Sequence, residues 1–167
     1  MIGIWFPITQ GKFALVDRDL YEEITKHKWQ FDATRGGYVS RTVGMYADKK
    51  RINLHDEVMF TMIDEYVGII DHKNRDKLDC RKENLRVATY SQNNANTKNY
   101  NGRKYRGVST HKVGNHTQIM ARIRVNGKEI YLGTYSTEEE AADVYDNAAI
   151  VFFGEFASLN CVWLGGR

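Results

Sequence analysis

The pair Asp71-His72 closes a short apolar run, Gly68-Ile69-Ile70. Asn84, in Asn84-Leu85-Arg86, follows twelve residues after His72, and Asn93, in Ser91-Gln92-Asn93-Asn94, nine residues after that. This spacing constrains the fold more than any other feature, because these groups can act together only if one compact unit gathers them. The residue types are those that metal-dependent cleavage of a phosphodiester requires. Asp71 offers an anionic oxygen suited to a hard cation such as Mg2+, and Asn93 adds a neutral carbonyl oxygen. His72 can be neutral near pH 7 and so can accept a proton from water. A lone histidine would carry no such meaning, whereas the ordered series does. A register shift would put Asn94 or Asn96 in the place of Asn93.

The series resembles the HNH nucleases, in the Asn-ended form found in phage and intron-encoded homing endonucleases. The resemblance implies a ββα-metal unit, with Asp71 and His72 on the first strand, Asn84 in the loop between strands and Asn93 at the start of the helix. It implies Asp71 and Asn93 as metal ligands, His72 as general base, and Asn84 as the group that braces the loop and orients His72. It extends over about residues 5–98, since Thr9-Gln10-Gly11-Lys12-Phe13-Ala14-Leu15-Val16-Asp17, Trp29 and Leu54-His55 look like the elements that precede such a unit. Asp56 departs from the pattern, standing where relatives carry Arg. His55 is open to two readings, a structural or DNA-backbone histidine or a neighbour of the site.

Composition narrows the classes. A chain of 167 residues with 42% hydrophobic residues can bury one sizeable core or two small ones. It contains no stretch approaching the ~18 apolar residues of a membrane span, and Met1 to Pro7 lacks a basic region leading into a long apolar segment. A cytoplasmic protein of a phage-infected or bacterial cell is expected. Cys80 and Cys161 lack C-x-x-C partners, so both are expected to be free thiols with no zinc site.

The net charge of +3 says little, but its distribution is informative. Between Arg103 and Lys128 lie seven basic residues and no acidic ones, whereas Glu129 to Asn160 holds seven acidic residues and no Lys or Arg. Gln118 to Val125 alternates, with Ile119, Ala121, Ile123 and Val125 on one side and Gln118, Met120, Arg122 and Arg124 on the other, which predicts a half-buried strand. Asn126-Gly127 predicts a tight hairpin turn. A return strand, Lys128 to Gly133, should turn Ile130 and Leu132 inward and Glu129 and Tyr131 outward. Ser136 and Thr137, each with Glu three residues later, predict a capped helix start, and Ala141, Tyr145, Ala148 and Phe152 predict its packed face up to a stop at Gly154. The acids would then face water and the arginines an open sheet suited to a DNA groove.

Tyr105-Arg106-Gly107-Val108, Ala121-Arg122-Ile123-Arg124, Tyr131-Leu132-Gly133-Thr134-Tyr135 and the run Glu139 to Ala149 together resemble the Apetala-2/ethylene-response-factor DNA-binding domain. The resemblance implies a three-stranded sheet in the major groove, with Arg106, Ser109, His111, Arg122, Arg124 and Tyr131 facing DNA. Ser109 stands where plant domains carry a base-reading Arg, and Arg122 replaces an acidic residue, so the GC-rich plant target does not carry over. Between the modules, Lys98, Asn99, Asn101, Arg103 and Lys104 form either a polar spacer or an arm that tracks DNA.

The expected fold is α+β, a ββα-metal module with an N-terminal strand and helix scaffold, then a three-stranded antiparallel sheet on one helix. Short strands around Phe13–Val16 and Tyr38–Val43 and helices near Asp17–Lys28 and His55–Tyr66 would form the scaffold, with Val58, Met59, Met62, Ile63 and Tyr66 as core. The expected domains are 1–98, a linker 99–104, and 105–160. The expected function is that of a monomeric, site-specific endonuclease on double-stranded DNA, using one Mg2+ (or Mn2+) and the His72 base, and possessing nicking activity if it acts alone. The alternative is a DNA-binding regulator whose nuclease unit is inactive or structural.

Overall fold

A computed structural model describes residues 2–98, 103–114 and 116–160. Its contacts resolve into two compact units, Met1–Ala88 and Thr89–Arg167. The class is mixed α and β, with small antiparallel sheets and few helices.

The first unit opens on a hairpin of β1 (Gly3–Pro7) and β2 (Phe13–Asp17). A single helical turn, α1 (Tyr21–Thr25), follows and buries only Ile24. It is much shorter than the Asp17–Lys28 helix expected. Asp17 ends β2 and spends its carboxylate on the backbone N–H of Lys82, 2.6 Å away, so helix cannot begin there. Strands β3 (Gln30–Asp32), β4 (Tyr38–Val43) and β5 (Lys50–Asn53) form a second sheet with β4 central. Against it lies α2 (Leu54–Met59), whose Leu54, Val58 and Met59 join Phe6, Val16, Trp29 and Val39 in one apolar core. The periodicity over Val58 to Tyr66 predicted a longer helix, but Met62 and Ile63 are 40% and 36% exposed. The Thr61 hydroxyl donates to the Val58 carbonyl, closing the last turn locally, while Tyr66 still packs against the core. Finally β6 (Ile69–His72) pairs antiparallel with β7 (Leu85–Ala88), and Ile70 and Leu85 seal the same core.

The second unit begins with α3 (Tyr90–Ala95), a short helix started by a capping box in which the Thr89 and Gln92 side chains satisfy each other's backbone N–H groups. A three-stranded sheet follows, β8 (Val108–Val113), β9 (His116–Val125) and β10 (Lys128–Tyr135), with β9 central. Asn126 and Gly127 turn the β9–β10 hairpin with φ of 49° and 80°, the left-handed pair that this turn demands. A register shift between Tyr131 and Gly133 marks a bulge. Helix α4 (Glu138–Phe153) starts on the Thr137–Glu140 capping box and ends at Gly154. Its packed face is Ala141, Ala142, Tyr145, Ala149 and Phe153, one position on from the expected Ala148 and Phe152 at its C-terminal end. Phe152 is 45% exposed and Phe153 7%. Ala141, Tyr145, Ala149 and Phe153 advance in steps of four, with Ala142 beside them. At Gly107, φ is 73° and a Cβ would lie 1.9 Å from the Tyr145 ring, so only glycine lets helix and sheet approach this closely.

Candidate functional site

Asp71 and His72 are consecutive on β6, so their side chains leave opposite faces of the strand. Asp71 sits across from Arg86 on β7, and its Oδ2 accepts a hydrogen bond from the guanidinium Nε at 2.9 Å, with Nη2 forming an ion pair to the same oxygen at 2.8 Å. His72 points into a nest of rings. Its centroid lies 5.2 Å from His55, edge to face, and 6.1 Å from Tyr38, while Nε2 is 3.8 Å from the Cys80 thiol. Only 4% of His72 is exposed. Burial, then the charge of His55 and Lys77, pulls its pKa down to about 3 against an opposing push from Asp79, so the ring is neutral at neutral pH.

Asn84 ends a 3-10 turn, Lys82–Asn84, that delivers the chain into β7. Its amide NH2 donates to the Asp79 carbonyl at 2.7 Å and its side-chain oxygen accepts from the Asn74 backbone N–H at 3.0 Å, while its own carbonyl accepts from the Lys73 N–H. One side chain thus ties both ends of the loop that follows His72. Asp79, bonded by Asn74 Nδ2 and twice by Arg81, completes the brace. Among the described residues, no group of three or more His, Cys, Asp or Glu is placed to share a metal ion.

His55 is the residue that sequence reasoning left undecided. It lies on α2 against both Tyr38 and His72, and burial lowers its pKa, with Asp56, whose Oδ1 is 3.5 Å from Nε2, opposing. Its Nδ1 is buried and has no hydrogen-bond partner among the described residues. Tyr38 and Lys77, whose ammonium stands 4.2 Å over the Tyr38 ring, complete the surroundings. The Leu54-His55 segment was the available signal for the histidine; nothing in spacing pointed to Tyr38 or Lys77.

Asn93 lies on α3, which belongs to the second unit. In that unit, Ser109 and His111 on β8, Arg122 and Arg124 on β9 and Tyr131 on β10 are cross-strand neighbours: Ser109 faces Met120, His111 faces Gln118, Arg122 faces Tyr131 and Arg124 faces Glu129. Arg124, His111 and Tyr131 are exposed. Arg122 donates to Glu129 at 3.0 Å, and its Nε, like the Ser109 hydroxyl, is buried without a partner among the described residues. A cleft of about 970 Å3 opens between α3 and this sheet, lined by Ser91, Asn94, Ser109, Arg122 and Arg124 among others.

Arg106 does not share that outward disposition. Its guanidinium turns to the end of α3, with Nη1 donating to the carbonyls of Ala95 and Thr97 at 2.8 and 2.7 Å, and Nη2 to the Asn94 carbonyl and the Thr97 hydroxyl, both at 2.7 Å. Of the connecting segment, Asn99 and Asn101 lie outside the described residues, as does Cys161. Lys104 donates to Glu139 at 2.7 Å and stands 4.8 Å over the Tyr105 ring. Glu139, expected on a bare solvent face, is therefore engaged, and the Lys104 ammonium beside it lowers its pKa to about 2.

Comparison with known proteins bears on both units. The HNH endonuclease family model matches residues 65–95. The chain is 33% identical over 159 residues to an uncharacterized HNH endonuclease of Acanthamoeba polyphaga mimivirus, covering 90% of this chain and 76% of that protein. It is also 57% identical over 58 residues to an AP2-like ethylene-responsive transcription factor of Arabidopsis thaliana, and 55% over 58 residues to one of Oryza sativa subsp. japonica. These matches cover 34% of this chain but only 10% and 9% of the plant proteins. No helix among the described residues is long and apolar enough to cross a membrane.

Proposed function

The chain belongs to the HNH endonuclease family, and from that premise we propose that it is a site-specific, homing-type DNA endonuclease: residues 1–98 cut and residues 105–160 read the sequence, joined by 99–104. The observation that carries the reading is the neutral, buried His72 held against His55, with Asn84 bracing the loop beside it.

Asp71 and Asn93 each offer an oxygen donor of the kind that a hard divalent cation such as Mg2+ or Mn2+ takes. When bound, such a cation would supply positive charge to the phosphoryl oxygens and the leaving 3′ oxygen. The chain's own residues do the rest. His72 accepts the proton of the attacking water. A base so weakened by burial works only where the phosphate's developing negative charge stabilises the imidazolium. Asn84 keeps the loop, and so the ring, from drifting. On the sheet, Arg124 and Arg122 meet base edges or phosphates, with Ser109, His111 and Tyr131 beside them.

Incubation with supercoiled plasmid and Mg2+ tests the reading: nicked or linear product is expected from a monomeric enzyme, none in excess chelator. The rival reading, a DNA-binding regulator with a silent nuclease unit, draws on the ion pair that Arg86 makes with Asp71. Specific binding to duplexes selected from a random library without cleavage under any divalent cation would favour it.

A further inference from the structure

We propose that Arg106 is a positioning residue that clamps α3, the helix on which Asn93 lies, and that it does not read DNA. Arg106 occupies a position at which the domain resemblance implies DNA contact. Its geometry says otherwise: both Nη atoms are committed to four acceptors at the end of α3, at 2.7–2.8 Å. A guanidinium has five N–H donors, so four are already spent, and bidentate reading of a guanine would break at least one of those bonds. A cation at a helix C-terminus also meets carbonyls that have no partner within the helix. At six residues α3 is too short to hold itself, because isolated helices of fewer than roughly 12 residues are marginal in water.

The clamp is itself held. The Arg106 backbone N–H donates to Asn160 Oδ1 at 2.5 Å, and its carbonyl accepts from Asn160 Nδ2 at 3.0 Å. Asn160 is fixed in turn by the carboxylate of Asp146 on α4, through its backbone N–H at 2.9 Å and its amide at 3.0 Å. At the opposite end of α3, the Ser91 hydroxyl accepts the Asn126 backbone N–H, in the turn of the β9–β10 hairpin, at 3.0 Å. Helix α3 is thereby pinned at one end by the sheet's turn and at the other by a chain running to α4. The clamp on α3 stands on these contacts, and its effect on cleavage rests on the reading of Asn93 as a metal ligand.

The test compares wild-type full-length protein with Arg106→Gln and Arg106→Lys. Amide hydrogen exchange at Asn93–Asn96 should quicken by about tenfold or more in Arg106→Gln. The Kd for a duplex selected from a random library, measured in chelator, should stay within about threefold. At saturating duplex kcat should fall about tenfold or more and the Mg2+ concentration for half-maximal rate should rise, with Arg106→Lys between. Thr97→Val, which deletes one acceptor without touching Arg106, should move exchange in the same direction by a smaller factor and serves if Arg106→Gln does not fold. A tenfold loss of affinity with unchanged exchange at α3 would overturn the proposal and return Arg106 to the DNA. Should wild type fail to cut any DNA, the nuclease reading falls by itself, while exchange and affinity still decide the clamp.

Discussion

Two histidines from distant segments share one buried space, and their mutual effect sets the chemistry open to them. His72 and His55 stand 5.2 Å apart, edge to face, and each is kept neutral chiefly by burial. If His72 is the base, His72→Ala should lower cleavage by about 10² to 10⁴ fold while specific binding stays within error; parallel titration and cleavage assays check it, and near-normal cutting by the variant refutes the role. Stability should follow the same protons. A histidine whose folded pKa lies below its unfolded value contributes stability that is whole above the unfolded pKa of about 6.5 and is lost as the pH falls toward the folded one, about 3 for His72. Urea midpoints should therefore drop from pH 7 to pH 5, and His72→Gln should flatten that slope; an unchanged slope would mean that the ring is solvated. Spacing along the chain brought out Asp71, His72 and Asn84, which one hairpin holds together. It could not bring out Tyr38 or Lys77, which reach His72 only through the packing of β4 and of the loop before β7.

Elements were legible where the signal is local. The Asn126-Gly127 turn, the Thr137–Glu140 box and the inward face of β9 follow from neighbouring residues alone, and each stands where expected. Elements whose ends are set by distant partners were not. Helix α1 cannot begin at Asp17 because Lys82, 65 positions away, claims that carboxylate. Helix α2 stops at Met59, where Thr61 closes the last turn, and α4 buries Phe153 in place of Phe152. The tightest of these contacts is testable. With φ at 73° and the Tyr145 ring where a methyl would go, Gly107→Ala should destabilise the second unit by about 2 kcal/mol or more, from overpacking and left-handed strain together. Thermal unfolding checks it; a loss under about 0.5 kcal/mol, the range of an ordinary surface change, would show that α4 can retreat freely.

Across the whole molecule, the proposed function gives different work to different charges. Cutting would depend on oxygen ligands and a neutral imidazole, reading on exposed cations, so the two activities should come apart under two treatments. Excess chelator should abolish cleavage and leave the selected duplex bound, with Mg2+ or Mn2+ restoring the cut. Arg124→Ala should do the reverse. Arg124 is exposed on the outward side of β9, across from Glu129. The Glu129 carboxylate is hydrogen-bonded by Arg122, which leaves Arg124 as the cation of that pair less restrained by the protein. If it reads a base, its loss should cost about 1–3 kcal/mol of specific binding and relax one position of the site, whereas loss of a phosphate contact would weaken all sequences alike and make the salt dependence shallower. In either case kcat at saturating DNA should hold, since the substitution touches no group assigned to chemistry. Titrations on matched and mismatched duplexes at two salt concentrations, with single-turnover cleavage alongside, separate these outcomes. A fall in kcat with unchanged affinity would place Arg124 in the cutting machinery and end the separation of cutting from reading residues.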